Sequence, residues 1–468
     1  MAANNSERPA AAVGPPDLLI RDAALVATVD EMRREIPGGW VAITNGFVSG
    51  VGFPGSEPLD AREQVSVPGA LVTPGLINTH HHIFQNLTRS YVSAIDRTLF
   101  QWLTTLYPLW SRLDEEAAYI SAWVGLAELA VGGCTTTMDH LYVHPRGGGD
   151  LISAEIKAAQ DLGFRFHPTR GSMSLSEKDG GLPPDSVVQT DDEILADSKR
   201  LVELHHNASW GAMTRIALAP CSPFSVTPAL MKATAELAEQ LDVRLHTHLA
   251  EDADEDIYCL EKFGRRPIEQ FEEVGWGSDR SWVAHCVFPN DDEVVRLGQW
   301  GTGVAHCPSS NLMLGNARIA PVRDFRRAGV PVGLGCDGSS STDSASLWTE
   351  ARNAMLLGKM RHGPDQMSAR DALEVATRGG AACLGRQGEL GELSVGAAGD
   401  VVVWPMDGLQ FAGVLTDPIS GWLRCGPTAA RHTIINGRFV VRNGELVAPN
   451  LDQQLALHRT VATRMQAV

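Results

Sequence analysis

The sequence predicts an α/β fold: a (β/α)8 or TIM barrel with a small β-sandwich domain formed from both chain ends. Short β-type runs alternate with longer amphipathic stretches through the middle of the chain, and strand-like runs recur near both ends. No G-x-G-x-x-G or P-loop fingerprint follows the first predicted barrel strand. Without such a fingerprint, the barrel is favoured over a doubly wound open sheet.

Both chain ends are predicted to pair into one composite β domain, residues 17–72 and 394–448. Apolar, β-prone runs occur in both segments, and Asn45-Gly46 is a turn signal between two of them. Two independent hairpins are the alternative. They are disfavoured because neither end could bury enough surface alone.

Residues 73–393 are predicted to form the barrel. Amphipathic stretches such as 228–241 separate short β-type runs. Eight such units over roughly 320 residues match a barrel with insertions. The predicted strands are 70–76, 135–139, 164–168, 216–220, 243–247, 282–284, 304–306 and 330–335.

The remaining segments and the composition predict a cytoplasmic protein. Residues 1–16, rich in Ala, Asn and Pro, predict a disordered lead-in and no signal peptide, and 449–468 predict a C-terminal helix. The eight cysteines include no C-x-x-C pair, which predicts free thiols in a reducing compartment. No run approaches the ~18 apolar residues of a membrane span. The net charge of −17 argues against nucleic acid or membrane partners and favours a small heterocyclic substrate.

The tripeptide His80-His81-His82 directly follows an apolar run and is the strongest site signal. In an extended strand, residues i and i+2 point the same way, so His80 and His82 can converge while His81 faces away. Further polar residues stand at the ends of later predicted strands, and a barrel gathers such residues at one face. These later residues are His248 with Glu251, then His285, His306 and Asp337.

This pattern predicts a catalytic metal centre. Zinc takes three or four protein ligands of this type and keeps one position open for water. Glu251 lies close enough to His248 to reach a reacting group, and His285 could orient the water or polarise the substrate. Asp337 could also accept the proton of the attacking water. The predicted ligands are His80, His82, His248 and Asp337.

Four motifs, in this order along the chain, resemble the amidohydrolase superfamily, and more narrowly its cytosine/guanine deaminase and triazine hydrolase branch. They are Pro74-Gly75-Leu76-Ile77-Asn78-Thr79-His80-His81-His82, His246-Thr247-His248-Leu249-Ala250-Glu251, Ala305-His306-Cys307-Pro308-Ser309-Ser310-Asn311 and Gly335-Cys336-Asp337-Gly338.

The resemblance covers nearly the whole chain and implies one zinc ion per subunit, or iron as in some members, on the same four ligands. It makes His248 the strand-five ligand instead of His246, Glu251 the donor to a ring nitrogen, and Asp337 the proton shuttle. His285 matches the histidine beside the metal water. The strand-four lysine of binuclear members is absent, which favours one metal. Homo-oligomers, dimers or larger, are expected from the same resemblance.

Five residues are candidates for substrate binding. The stretches 85–89, 99–103 and 106–110 resemble 8-oxoguanine deaminases and their close relatives. An amide side chain there could exchange two hydrogen bonds with a purine or pyrimidine edge, and aromatic side chains could wall a planar ring. The alternative interpretation is that the aromatic residues are ordinary helix-packing positions and that Gln85 is a helix cap. The candidates are Gln85, Trp102, Tyr107, Arg170 and Cys221.

The resemblance implies hydrolytic deamination of an amino-substituted aromatic heterocycle, with 8-oxoguanine, giving urate and ammonia, as the first expectation. Isocytosine, guanine, a pterin or an s-triazine are the alternatives. The carboxylate of Asp337 favours release of an amine without excluding chloride or alkylamine release. A cyclic amide hydrolase is disfavoured by the missing lysine, and an inactive homologue by the complete ligand set.

Overall fold

The computed structural model describes residues 8–9 and 14–467. Residues 1–7 and 10–13 of the predicted lead-in therefore lie outside the described part of the chain. Seven short strands come first and belong to two sheets. They are β1 (Leu18–Arg21), β2 (Leu25–Ala27), β3 (Glu35–Pro37), β4 (Trp40–Thr44), β5 (Phe47–Gly52), β6 (Glu63–Ser66) and β7 (Leu71–Pro74).

A closed eight-stranded parallel barrel follows, which confirms the predicted fold class. The eight barrel strands are β8 (Leu76–Asn78), β10 (Cys134–Leu141), β11 (Arg165–Ser172), β12 (Ala217–Pro220), β13 (Arg244–Leu249), β14 (Ser281–His285), β15 (Gly303–His306) and β16 (Val332–Leu334). Two further strands in this part of the chain are β9 (His81–His82) and β17 (Asp337–Gly338). The two-residue strands β9 and β17 form a separate parallel pair at the barrel mouth. The barrel closes where Leu334 of β16 pairs with Asn78 of β8.

The C-terminal strands complete the β domain that begins at the other chain end. They are β18 (Val401–Trp404), β19 (His432–Ile435), β20 (Arg438–Arg442) and β21 (Glu445–Leu446). One sheet has the order β5-β4-β1-β6 and the other β21-β20-β19-β18-β7-β2-β3. The antiparallel pair β7–β18, with Val403 opposite Val72, joins the two chain ends. Apolar side chains from both sheets, including Val41, Ile43 and Ile434, form a shared core.

Helices follow most of the barrel strands and cover the outside of the barrel. Several begin at a side chain that accepts a backbone N–H, as Asp150 and Thr227 do. No helix in the described ranges is both long and apolar enough to cross a bilayer. The helices are α1 (Leu99–Trp110), α2 (Glu115–Val131), α3 (Leu151–Leu162), α4 (Asp191–His205), α5 (Pro228–Leu241), α6 (Ala253–Phe263), α7 (Pro267–Glu273), α8 (Asp291–Trp300), α9 (Pro308–Met313), α10 (Val322–Arg327), α11 (Leu347–His362), α12 (Ala369–Glu374), α13 (Gly380–Cys383), α14 (Pro418–Cys425) and α15 (Leu451–Gln466).

The predicted first barrel strand, 70–76, is in fact two strands that belong to different sheets. β7 lies in the terminal sheet and β8 in the barrel, and the chain changes direction between them at Gly75. A Cβ atom at Gly75 would lie 1.9 Å from Thr135 Oγ1, so only glycine allows this crossing. Both strands are fully buried, and the continuous apolar pattern therefore hides the break. Residues 73 and 74 lie in the terminal sheet, beyond the predicted domain boundary.

Helix α15 packs beside the segment that follows the histidine tripeptide. This segment is a 3-10 helix, Ile83–Thr88. His458 Nε2 lies 2.9 Å from Asn86 Oδ1, and Gln466 Nε2 donates to the backbone oxygen of Leu87 at 2.7 Å. The C-terminal helix thus supports the loop that leads out of the candidate site.

Candidate active site

Three histidines and one aspartate converge at the carboxyl ends of the barrel strands. His82 Nε2 lies 3.1 Å from His248 Nε2 and 3.4 Å from Asp337 Oδ1. His80 Nε2 lies 3.2 Å from the same Asp337 oxygen. All four side chains are buried. Two overlapping groups of four ligand atoms lie within 4.8 Å of one another here, and either group can surround a single ion. One group is His80, His82, His140 and His248, and the other is His80, His248, His285 and Asp337.

The donor set fits a transition metal. The Nε2 atom of His80 is buried and has no hydrogen-bond partner in the described part of the chain. An unpaired buried ring nitrogen costs free energy, and a coordinated ion would satisfy it. Imidazoles with one carboxylate suit zinc or iron better than calcium or magnesium, which prefer oxygen ligands. The four residues therefore form a candidate metal centre.

Hydrogen bonds at Nδ1 orient the imidazole rings of the three histidines. His82 Nδ1 lies 2.7 Å from the backbone oxygen of His140, and His248 Nδ1 lies 2.7 Å from that of Cys221. His80 Nδ1 instead meets His246 Nε2 at 2.8 Å. Burial lowers the pKa of His82 to about 3 and that of His80 well below its usual value. The rings are thus neutral and present Nε2 to an ion.

The two histidines that were predicted not to bind the metal have other contacts. His81 Nδ1 lies 2.5 Å from the backbone oxygen of Asp337, which links β9 to β17 outside the ligand cluster. His246 Nδ1 lies 2.9 Å from the backbone oxygen of Trp282, and its ring stacks on the indole. His246 therefore orients His80 without joining the group of ligand atoms.

Asp337 is an ionised carboxylate held by two serines. Its Oδ2 atom accepts a short hydrogen bond from Ser310 and a 3.3 Å hydrogen bond from Ser341. Burial alone would raise the pKa of Asp337, but His285, His80 and His82 hold it well below the usual range. The carboxylate can therefore bind a cation through one oxygen and accept a proton through the other.

Glu251 and His285 stand beside this carboxylate. His285 Nε2 lies 3.5 Å from Glu251 Oε1 and 3.9 Å from Asp337 Oδ2. Burial, together with the nearby carboxyls of Asp337 and Glu255, raises the pKa of Glu251 well above its usual value. The protein therefore favours the protonated form of Glu251 and the ionised form of its neighbour Asp337. Such a pair separates the acid and base roles between two carboxyls.

The backbone is strained where three of these side chains emerge. Ala250, which precedes Glu251, has φ of 51°, His285 has 69° and Asp337 has 58°. Left-handed backbone at residues other than glycine is uncommon and gathers at functional sites. Glu255 stabilises one of these turns, since its carboxyl accepts the N–H groups of Ala250 and Glu251 at 2.9 Å.

A cavity opens beside the ligands, and four of the five predicted substrate-binding residues line it: Gln85, Trp102, Tyr107 and Cys221. Gln85 Nε2 donates to Tyr142 Oη at 3.3 Å, whereas its Oε1 has no partner in the described chain. Gly338 makes room for this amide, because a Cβ atom there would lie 1.8 Å from Gln85 Oε1. An aromatic wall and one free amide acceptor suit a planar, hydrogen-bonding ring.

Arg170, the fifth candidate, does not line this cavity. Its guanidinium donates to Asp197 Oδ2 at 2.6 Å and to Gln189 Oε1 at 2.7 Å. A further hydrogen bond goes to the backbone oxygen of Gly171. Arg170 lies inside β11, two residues beyond the end of the predicted strand 164–168, and its charge ties β11 to the neighbouring segment that carries α4.

Several residues of the site were missed from the sequence. Tyr142 lines the cavity, and His140 stacks on His248 with ring centroids 5.1 Å apart. His140 also lies within ligand distance of His80, His82 and His248. His140 and Tyr142 could have been predicted from the sequence, because they stand at a strand end in the run Asp139-His140-Leu141-Tyr142. Ser310 and Asn311 stand in one of the four motifs but were given no role there; they lie on the short helix α9, and Ser341 lies on the turn after β17, so tertiary packing brings them to Asp337 and His285.

A barrel whose mouth combines a histidine–aspartate metal centre with an acid–base pair defines a class of metal-dependent hydrolases. The model of the amidohydrolase family matches residues 71–445. The chain belongs to this family.

Characterised relatives align over most of the chain. An 8-oxoguanine deaminase of Pseudomonas aeruginosa is 45% identical over 88% of this chain and 93% of its own length. A hydroxydechloroatrazine ethylaminohydrolase of Pseudomonas sp. strain ADP is 36% identical, over 93% of this chain and 88% of that protein. Among solved structures, the zinc complex of an atrazine chlorohydrolase from Arthrobacter aurescens TC1 superposes with a TM-score of 0.90. It shares 32% identity and covers 95% of this chain and 100% of its own.

Proposed function

We propose that the protein is a metal-dependent aminohydrolase that converts 8-oxoguanine and water to urate and ammonia. The observation that carries the proposal is that Glu251 and Asp337 lie on either side of His285, in surroundings that raise the pKa of Glu251 and lower that of Asp337. This arrangement supplies both proton transfers that loss of an amine requires. The 45% identity to an 8-oxoguanine deaminase supports the choice of substrate.

The metal ligands are proposed to be His80, His82, His248 and Asp337, with one zinc ion per subunit as the first choice and iron as the alternative. The bound ion would supply Lewis acidity, lowering the pKa of a water molecule from ~15.7 toward ~7. The zinc complex of the atrazine chlorohydrolase supports zinc.

The protein's own side chains then move the protons. Asp337 accepts a proton from water as the oxygen adds to the ring carbon that bears the amine. Glu251 donates its proton to the neighbouring ring nitrogen. When the carbon–nitrogen bond breaks, the amine takes the proton held by Asp337 and leaves as ammonia, while the new hydroxyl returns a proton to Glu251. Steps of this kind each accelerate a reaction by about 10²–10⁴-fold.

His285 is proposed to polarise the reacting oxygen. The amide nitrogen of Asn311 lies 3.1 Å from His285 Nδ1, which makes that nitrogen an acceptor and leaves the ring proton on Nε2. Burial lowers the pKa of His285 to about 4, so the ring is a neutral donor. Nε2 points to the space between Glu251 and Asp337, where the proton transfers occur.

Four side chains are proposed to bind the heterocycle: Gln85, Trp102, Tyr107 and Cys221. Gln85 is proposed to accept an N–H from the amide edge of the base through its Oε1, which has no hydrogen-bond partner in the described chain. Burial raises the pKa of Cys221 to about 12, so its thiol is a neutral wall of the cavity.

We further propose a cytoplasmic homo-oligomer without a nucleic-acid partner. Eight cysteines without a disulfide and the charge of −17 support this setting.

A substrate panel tests the proposal. Protein loaded with zinc, or anaerobically with ferrous iron, is incubated with 8-oxoguanine, guanine, isocytosine, isoxanthopterin and hydroxyatrazine. Ammonia, ethylamine and urate are quantified. The expected result is the highest kcat/KM on 8-oxoguanine, with urate and ammonia formed in equal amounts. A higher kcat/KM on the triazine with alkylamine release would assign the protein to triazine hydrolysis, and no product from any compound would refute deamination altogether.

A further inference from the structure

A second cavity lies at the end of the barrel opposite the candidate active site. Its volume is about 380 Å³. Its walls come from the segments at the starts of β12, β13 and β14 and from the turn that follows α13. The amino-terminal face of a barrel ordinarily serves stability and not binding. The composition of these walls is unusual for a purely structural region.

Four arginines line this cavity together with only two carboxylates. Arg215 and Arg386 share Glu389, and Arg280 Nη1 lies 3.0 Å from Asp242. Arg244 makes one hydrogen bond, to the backbone oxygen of Cys383, and no ion pair with any described residue. The wall therefore carries two more positive than negative charges, in a chain whose net charge is −17.

Arg386 is deeply buried and Arg244 is partly buried, and both guanidiniums are incompletely paired. Arg386 Nη1 and Arg244 Nε have no hydrogen-bond acceptor in the described part of the chain, and the same is true of Arg215 Nε. Burial lowers the pKa of Arg386 to about 9 and that of Arg244 to about 10. Buried charged donors without acceptors cost free energy unless something in the cavity compensates them.

Glycine at position 385 leaves room for the Arg244 side chain. Gly385 has φ of 65°, and a Cβ atom on it would lie 2.6 Å from Arg244 Nη1. Its neighbour Arg386 donates to the backbone oxygen of Ala212 at 2.8 Å. Arg244 and Arg386 therefore both line the cavity, because no side chain at position 385 separates their guanidiniums.

We propose that this cavity binds a phosphate-type oxyanion. Planar guanidiniums pair with the oxygens of phosphate in fixed geometry, and arginine is preferred over lysine where such pairing occurs. A singly or doubly charged anion would balance the excess charge of the wall. The volume admits either free inorganic phosphate with water or the phosphate group of a small ester. In both cases the shared chemistry is a tetrahedral oxyanion.

Calorimetric titration of the metal-loaded protein tests this site, with inorganic phosphate and adenosine monophosphate as probes at constant ionic strength. Asp242→Asn removes a rim carboxylate, and asparagine tolerates the φ of 51° found there. It should tighten binding about threefold, while Arg280→Gln should weaken binding by at least about that factor. Arg438→Gln, on the exposed end of β20, is the matched control and should leave Kd unchanged.

The comparison of the two probes identifies the source of the anion. Tighter binding of inorganic phosphate would assign a free ion, and tighter binding of the nucleotide would assign a phosphate ester. Absence of saturable binding of either probe would refute the proposal. Binding with the same Kd in Asp242→Asn, Arg280→Gln and the unaltered protein would also refute it, because the anion would then occupy another place such as the metal centre. Both rim variants avoid Arg244 and Arg386, whose replacement could prevent folding.

Discussion

At the scale of single residues, the site depends on two neighbouring carboxyls whose pKa values are shifted in opposite directions. Glu251 is buried near other acids, whereas Asp337 is surrounded by imidazoles and serine hydroxyls. Their separation by His285 places both within 4 Å of the same ring nitrogen. The chemistry therefore follows from local environment, since the two side chains differ by only one methylene.

Replacing Glu251 by glutamine tests the proton-donor role. Glutamine preserves the shape of the side chain but cannot deliver a carboxyl proton, so kcat should fall by about 10²–10⁴-fold while metal content stays unchanged. Ammonia release and elemental analysis measure the two quantities. Glu261→Gln, on the exposed side of α6, is the control and should behave like the unaltered protein. Substantial turnover by Glu251→Gln would remove Glu251 from the proposed mechanism.

Spacing alone restricts the geometry of His80 and His82, whereas the other predicted site residues were assigned from predicted strand ends and from the family resemblance. His80 and His82 are two positions apart, and the apolar run before them indicated a strand end. Arg170 also stands in a strand, yet its direction is decided by Asp197, which no local pattern reveals. Ser310 reaches Asp337 from helix α9 and Ser341 from the turn after β17. Such contacts depend on tertiary packing and could not be predicted from one sequence.

At the scale of elements, the joint between β7 and β8 connects the two domains. A single glycine separates a strand of the terminal sheet from a strand of the barrel. Thr135, next to the first residue of β10, fills the space where a side chain at position 75 would lie. The position of the histidine tripeptide depends on this joint, because only a few residues follow before the first ligand.

Gly75→Ala should destabilise the protein by about 1–3 kcal/mol, the range expected for overpacking a filled interior. Gly55→Ala is the comparison, since a Cβ atom at Gly55 meets nothing within 4 Å and the only cost is its φ of 87°. Urea unfolding of both variants measures the difference. Equal destabilisation by the two substitutions would contradict the steric account of the joint.

Helix α11 carries a buried acid, Glu350, that makes stability depend on pH. Burial raises the pKa of Glu350 from 4.5 to about 8, although Ser309 N–H donates to it at 3.0 Å. The fold favours the protonated form. This contribution is therefore greatest below pH 4.5 and is lost as the pH rises toward 8.

Glu350→Gln should remove this dependence, because glutamine imitates the protonated carboxyl. Between pH 5 and pH 8 the unaltered protein should lose about 3–4 kcal/mol more unfolding free energy than the variant. Urea unfolding at both pH values measures the change. Glu236→Gln, on the exposed face of α5, is the control and should follow the unaltered protein. Parallel pH profiles for Glu350→Gln and the unaltered protein would contradict the assignment.

At the scale of the whole molecule, the alternation of short apolar runs and amphipathic stretches was sufficient to predict the barrel and its companion β domain. What it could not predict was the boundary between them, because β7 and β8 are equally buried and their residues equally apolar. Gly75 was the only mark of the break. A buried strand looks the same from sequence whichever sheet it joins.

Removing the metal should destabilise the entire fold, since the ligands come from three distant parts of the chain. An ion at 100 times its Kd stabilises the folded state by about 2.7 kcal/mol, so a chelator should lower Tm by several degrees. Differential scanning calorimetry at one scan rate measures the shift. His82→Ala should show no further shift on chelation, whereas the control His362→Ala should respond like the unaltered protein. An equal shift in His82→Ala would contradict the ligand assignment.

The pairing of β7 with β18 also determines an order of events on the ribosome. β7 leaves the exit tunnel about 330 residues before its partner, because the entire barrel is encoded between them. At synthesis rates of about 5–20 residues per second, the first strands wait roughly 15–65 s for the strand that covers them. During that interval the edge of β7 is an open template for a neighbouring nascent chain. The barrel must therefore fold while its companion domain is still unfinished.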